Sequence, residues 1–86
     1  MGRNDEAIEV LTESIRREPD YFSGHLRLAG LYGLGDRVDA ARAELTAALR
    51  INPRFTIAMA EAFYVSSNKE ATERFKLGLR KAGLPD

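Results

Sequence analysis

The 86-residue chain contains no cysteine. That excludes disulfides, thiolate metal sites and cysteine nucleophiles, and it fits a cytoplasmic protein. It has no charge excess either: thirteen basic and thirteen acidic side chains cancel, leaving none of the basic footprint that nucleic-acid binding requires. No apolar run approaches the roughly 18 residues of a membrane span, and Met1 to Glu6 has no apolar signal segment behind it. Histidine occurs once, at His25, with no serine or cysteine nucleophile placed beside it by sequence. What is present is ordinary for a soluble globular chain: 44% hydrophobic and 30% charged residues, enough to argue against disorder. The length allows one domain at most, of modest stability.

Apolar residues recur at helical spacing almost throughout, and nothing alternates like a strand. The spacing predicts a first helix over about Asp5 to Arg17, with Ala7, Ile8, Val10, Leu11, Ser14 and Ile15 inward. Asn4 is its expected N-cap, Glu13 and Arg17 form an i,i+4 pair, and Pro19 stops it. A second helix, capped by Asp20, runs to about Tyr32 and ends where Gly33 and Gly35 tolerate a left-handed turn. Asp36 opens a third, with Val38, Ala41, Leu45, Ala48, Leu49 and Ile51 on its apolar side, closed by Asn52 and Pro53. A fourth covers about Phe55 to Tyr64. Ser67 and Glu70 read as a capping box for a fifth, whose face Ala71, Phe75, Gly78, Leu79 and Ala82 is apolar until Gly83 and Pro85 stop it.

Pro19 and Pro53 stand 34 residues apart, each after a helix of similar pattern. The same interval relates Ala7 to Ala41, Leu11 to Leu45 and Ser14 to Ala48. Small, large, small and proline recur in register, the mark of a repeated helix pair. His25, Leu28, Ala29 and Tyr32, followed by Ala41, Leu45, Ala48 and Pro53, resemble the tetratricopeptide pattern, in which small residues let helix axes approach closely. The resemblance covers about Asn4 to Pro53 and then fades, because Phe63 stands where a small residue is wanted.

The resemblance implies an all-α solenoid fragment of five helices with a C-terminal capping helix. Residues 1–21 would form the second half of a truncated repeat, 22–55 a complete repeat, and 56–86 a divergent helix pair and cap. Lys69, Glu70, Glu73, Arg74, Lys76, Arg80 and Lys81 would supply the cap's polar face. The tail from Gly78 to Asp86, with Ile51 to Thr56, resembles the C-terminal end of bacterial proteins in which such repeats follow a class III adenylate cyclase or a winged-helix activator domain.

Function is accordingly expected to be binding rather than catalysis, with no cofactor. His25 falls where the family places a large packing residue. Glu6, Glu9 and Glu13 read as the solvated face of the first helix rather than a metal site. Gly30, Gly33 and Gly35 lack the preceding strand and the following Gly-Lys-Ser/Thr of a phosphate loop. The expected protein-binding stripe is Ser23, Leu26, Arg27, Gly30 and Leu34, continued by Ile57, Ala60, Glu61 and Tyr64, suited to an extended or helical peptide. Leu26 and Gly30 stand where the chaperone-binding members of the family need polar residues, which argues against that ligand. Two further expectations concern partners. The chain is read as the C-terminal segment of a larger bacterial regulatory protein or, alternatively, as a tail that folds back on an attached adenylate cyclase-like domain. The isolated chain is also expected to self-associate as a homodimer through Ile8 and Ile15 on the first helix, or to exchange helices with a second copy.

Overall fold

The computed structural model describes residues 2–63 and 69–85. Among these, five helices follow in order: α1 (Gly2–Arg17), α2 (Phe22–Leu34), α3 (Val38–Ile51), α4 (Ile57–Phe63) and α5 (Lys69–Ala82), with no strand. Tyr64 and the expected cap Ser67 lie outside the described residues.

Helix α1 starts two residues before Asn4, so Asn4 is a helical residue and not a cap. Thr12 and Ser14 turn their hydroxyls back onto the carbonyls of Ile8 and Val10, at 2.6 and 3.0 Å, satisfying side chains that would otherwise compete with the helix. Before α2 the N-cap position is held by Tyr21 rather than Asp20, without a side-chain cap.

The end of α2 differs from expectation in an instructive way. The helix continues through Gly33 to Leu34, because Gly33 is buried against α5. The left-handed residue is Asp36, with φ 60°, while Gly35 has φ −88°. The Asp36 amide donates to the Gly33 carbonyl at 3.1 Å and the Arg37 amide to that of Tyr32 at 2.9 Å. This is a Schellman ending with aspartate in place of the usual glycine. The Arg37 guanidinium then lies 4.7 Å from the Tyr32 ring centroid, closing the turn. Asp36 therefore ends α2 instead of opening α3, whose N-cap position is Arg37.

Helix α5 stops the same way, with glycine in the left-handed place. Gly83, at φ 109°, donates to the Arg80 carbonyl and Leu84 to that of Leu79. Leu79 and Leu84 are both buried, the apolar contact that accompanies this motif. The tail then returns across the molecule: the Pro85 carbonyl accepts from the Ile57 amide at 2.9 Å, holding the first turn of α4. Phe55, expected inside α4, precedes it and packs in the core. Its ring meets that of Phe22 edge-on, with centroids 4.9 Å apart.

The core gathers Leu26 and Ala29 of α2, Ala41, Leu45 and Ala48 of α3, Phe55, Ile57 and Ala60, and Leu79, Ala82 and Leu84. Ala29, Ala41, Leu45, Ala48, Leu79 and Ala82 stand at the positions singled out by helical periodicity, whereas Leu26 and Ile57 are residues expected on an open stripe. Packing between elements departs from a plain repeat. By analogy with α2 after α1, the helix following α3 would stack on α3 and α2; α5 stacks there, and among the described residues α4 has only α5 as a close neighbour. Among the described residues, helix α1 packs against α2 alone. No helix among the described residues is long and apolar enough to cross a membrane.

Candidate protein-interaction surface

The stripe expected to face a partner belongs to α2 and α4, and much of it is covered from within. Leu26 has 0% of its surface exposed and Ile57 2%, so the expectation of an open apolar stripe is corrected at both positions. Gly30 and Ala60 are buried as well, Ser23 and Leu34 are half-buried, and among the described residues of the stripe only Arg27 and Glu61 are exposed. The physical reason is α5. An amphipathic helix with no other face to bury its apolar side against settles on the nearest apolar surface, and here that is the inner face of α2.

The contact is made by glycines. A methyl group built on Gly30 would lie 2.5 Å from Cε1 of Phe75, so the aromatic ring rests on the bare backbone at that point. One turn further, Gly33 faces the backbone carbonyl of Gly78, and Gly78 in turn faces that of Gly30, with Leu34 beside it. Neither glycine has room for a Cβ. The two helices cross backbone to backbone, and Phe75, Leu79 and Ala82 fill the flanks of the crossing. The inner face of α2 is thus occupied by α5 of the same chain. Gly33 was read in the sequence only as a helix end. Its packing role could have been seen in the spacing of Gly30 and Gly33 on one helix and Gly78 on another.

Helix α5 is also pinned at its edge. Lys76, expected on the exposed polar face, is only 8% exposed. Its ammonium donates to Glu73 at 3.1 Å and meets Glu61 of α4 at 3.4 Å. Hydrogen bonding to Glu73 raises the lysine pKa above its ordinary value; desolvation opposes the shift and is outweighed with the help of Glu61. Glu61, expected to meet a partner, is thereby the clasp between α4 and α5.

His25 is 7% exposed. Its Nε2 donates to the Pro19 carbonyl at 2.7 Å, and Nδ1 lies 2.8 Å from Oε1 of Glu44 on α3. Both ring nitrogens are engaged in tying the α1–α2 turn and α3 to α2, the packing role expected of this position. Among the described residues no three acidic or imidazole groups are placed to hold a metal ion. Glu6 and Glu9 share an exposed side of α1 with Glu13, which pairs with Arg16 at 3.3 Å and Arg17 at 3.7 Å.

On α1, Ile8 and Ile15 are half-buried, and Cγ1 of Ile15 would be 3.1 Å from a methyl group on Gly24 of α2. Ile15 thus lies in the α1–α2 seam, and neither isoleucine is fully open. The open large apolar residue of this helix is Val10, at 66%.

Stacked helix pairs in 34-residue register, with small residues at the crossings and a closing amphipathic helix, define a helical solenoid module. A tetratricopeptide-repeat family model matches residues 1–62. The chain belongs to that family, whose members commonly mediate protein–protein interactions. No curated protein and no solved structure matches it.

Proposed function

We propose that the chain is a protein-interaction module without catalytic activity whose inner face, on α2, grips an amphipathic helix, and that α5 is the helix it grips in cis. The observation that carries this reading is the seating of Phe75 and Gly78 on Gly30 and Gly33. A helix laid into a groove with a ring over one glycine and backbone contact at the next is how such a groove would hold a partner helix of the same pattern. A partner would then present an aromatic residue, a glycine three positions on, and small or branched residues beyond it, as Phe75, Gly78, Leu79 and Ala82 do. Binding would compete with α5, and the stripe Ser23, Leu26, Gly30 and Leu34 would become accessible only as α5 leaves. Placement in a larger bacterial regulatory protein of the cytoplasm rests on the resemblance of the tail and on the absence of cysteine. So does the alternative, a tail regulating an attached adenylate cyclase-like domain.

The test uses the full chain with Gly78→Leu, which leaves α2 intact and denies α5 its seat. A fluorescent peptide of the sequence 69–85 should bind this variant at least about tenfold more tightly than it binds the unaltered chain, a difference of about 1.4 kcal/mol. Absence of binding to a variant that keeps the helicity of α1 to α3 would overturn the proposal.

A further inference from the structure

Two exposed stripes lie on opposite outer helices and carry the same spacing. On α1, Glu6, Val10, Glu13 and Arg17 are exposed along the side away from Ile8 and Ile15. On α5, Glu70, Arg74, Leu77 and Lys81 are exposed along the side away from Gly78, Leu79 and Ala82. Both follow the order i, i+4, i+7, i+11, which is one continuous ridge on a helix. Val10 at 66% and Leu77 at 47% are among the most open large apolar side chains of the molecule.

From this match we infer that α1 of one copy docks antiparallel on α5 of a second copy. In that orientation Glu6 meets Lys81, Val10 meets Leu77, Glu13 meets Arg74 and Arg17 meets Glu70. The apolar pair is central and three opposite-charge pairs surround it. A parallel arrangement sets Glu6 against Glu70 and Arg17 against Lys81. Antiparallel α1 on α1 puts Val10 against Glu13, and α5 on α5 puts Leu77 against Arg74. Only the mixed antiparallel pairing satisfies all four positions, and charge complementarity of this kind selects orientation and partner.

Within one chain α1 and α5 are not neighbours, so the two stripes cannot satisfy each other in the same copy. The contact is heterologous: each copy offers one of each surface, and association continues head to tail. The intrachain pairs of Glu13 with Arg16 and Arg17, and of Lys81 with Asp36 at 2.9 Å, are exposed ones, so exchanging them costs little. This inference concerns the outer faces and does not depend on the groove reading.

The experiment is sedimentation equilibrium of the full chain over a wide concentration range, near 0.01 M and near 1 M salt, where the screening length falls from about 30 Å to about 3 Å. Species larger than a monomer are expected at low salt and should recede at high salt. Val10→Asp and Leu77→Asp, both at exposed positions, should each weaken association on the order of tenfold or more. Mixed in equal amounts, they should form a dimer and nothing larger, because one supplies an intact α5 and the other an intact α1. Glu13→Arg should weaken association and Arg74→Glu in the same chain should restore it. A monomer under every condition, a mixture that stays monomeric, or association that survives Leu77→Asp while Val10→Asp abolishes it would overturn the inference, the last pointing to α1 meeting α1.

Discussion

Gly33 on α2 lies directly against the backbone carbonyl of Gly78 on α5, so the two helices cross with no side chain between them. That crossing has a simple stability signature. Gly33→Ala puts a methyl group into backbone that cannot swing aside, unlike a flexible side chain. The expected cost is about 3 kcal/mol, the upper end for overpacking, read as a fall in the urea midpoint. Gly35→Ala is the control. Its nearest neighbours are 3.7 Å away and its φ is −88°, so it should be neutral or should gain roughly 0.4–1 kcal/mol by stiffening the unfolded chain.

Gly83 separates conformation from space. Nothing lies within 4 Å of a methyl group at this position, yet its φ is 109°. Gly83→Ala should therefore destabilise by roughly 1–2 kcal/mol through backbone strain alone, with no change in how α5 seats on Gly30. Urea unfolding measures the loss, and unchanged near-ultraviolet dichroism of the aromatic residues would show that the core is unaltered. A loss as large as that of Gly33→Ala would mean that the α5 ending is more crowded than the structure has it.

How far these features can be read in advance depends on what periodicity encodes. The spacing of Ala7, Leu11, Ala41, Leu45 and Ala48, with Pro19 and Pro53 as stops, locates α1 to α3 and their buried sides. The face of α5 is equally plain from Phe75, Gly78, Leu79 and Ala82. Periodicity marks a face as apolar without saying which helix will cover it. Leu26 and Ile57 look like binding residues for that reason, and the structure buries them under elements distant in sequence. The left-handed residue after α2 escaped for a different cause. Gly35 is the residue that tolerates the conformation best, but the hydrogen bonds to Tyr32 and Gly33 put it at Asp36. Lys76 looks like a solvated charge until Glu61 is brought to it by α4.

That lysine gives a pH dependence with a defined sign. Its pKa is raised in the folded chain, first by the hydrogen bond to Glu73 and with help from Glu61. A group raised on folding stabilises fully below its unfolded value, about 10.4 for lysine, and loses that contribution as pH rises through the higher folded value. The clasp between α4 and α5 should thus hold across neutral pH and loosen above about pH 10.4. Helicity followed from pH 9 upward should show an alkaline loss that Lys76→Met lacks. Identical alkaline profiles for both proteins would remove Lys76 from the account of how α4 is held.

His25 and Glu44 form the remaining test, and the repeat itself supplies its logic. Thirty-four residues before Glu44 stands Val10, so the repeat itself does not require a carboxylate at this position. The two members of the pair should therefore be replaceable together and not singly. His25→Leu leaves the Pro19 carbonyl without its donor and the Glu44 carboxyl without its contact to the ring, at roughly 1–3 kcal/mol for a part-buried polar group left unpaired. Glu44→Leu alone strands Nδ1 in the same way. The double replacement removes both ends of the Nδ1–Oε1 contact together and should recover at least about 1 kcal/mol relative to the sum of the single changes, the coupling expected of side chains in direct contact. Urea unfolding of the four proteins completes the cycle. Simple additivity would show that the 2.8 Å contact contributes nothing of its own, and that His25 holds α2 to its neighbours through packing and the Pro19 bond alone.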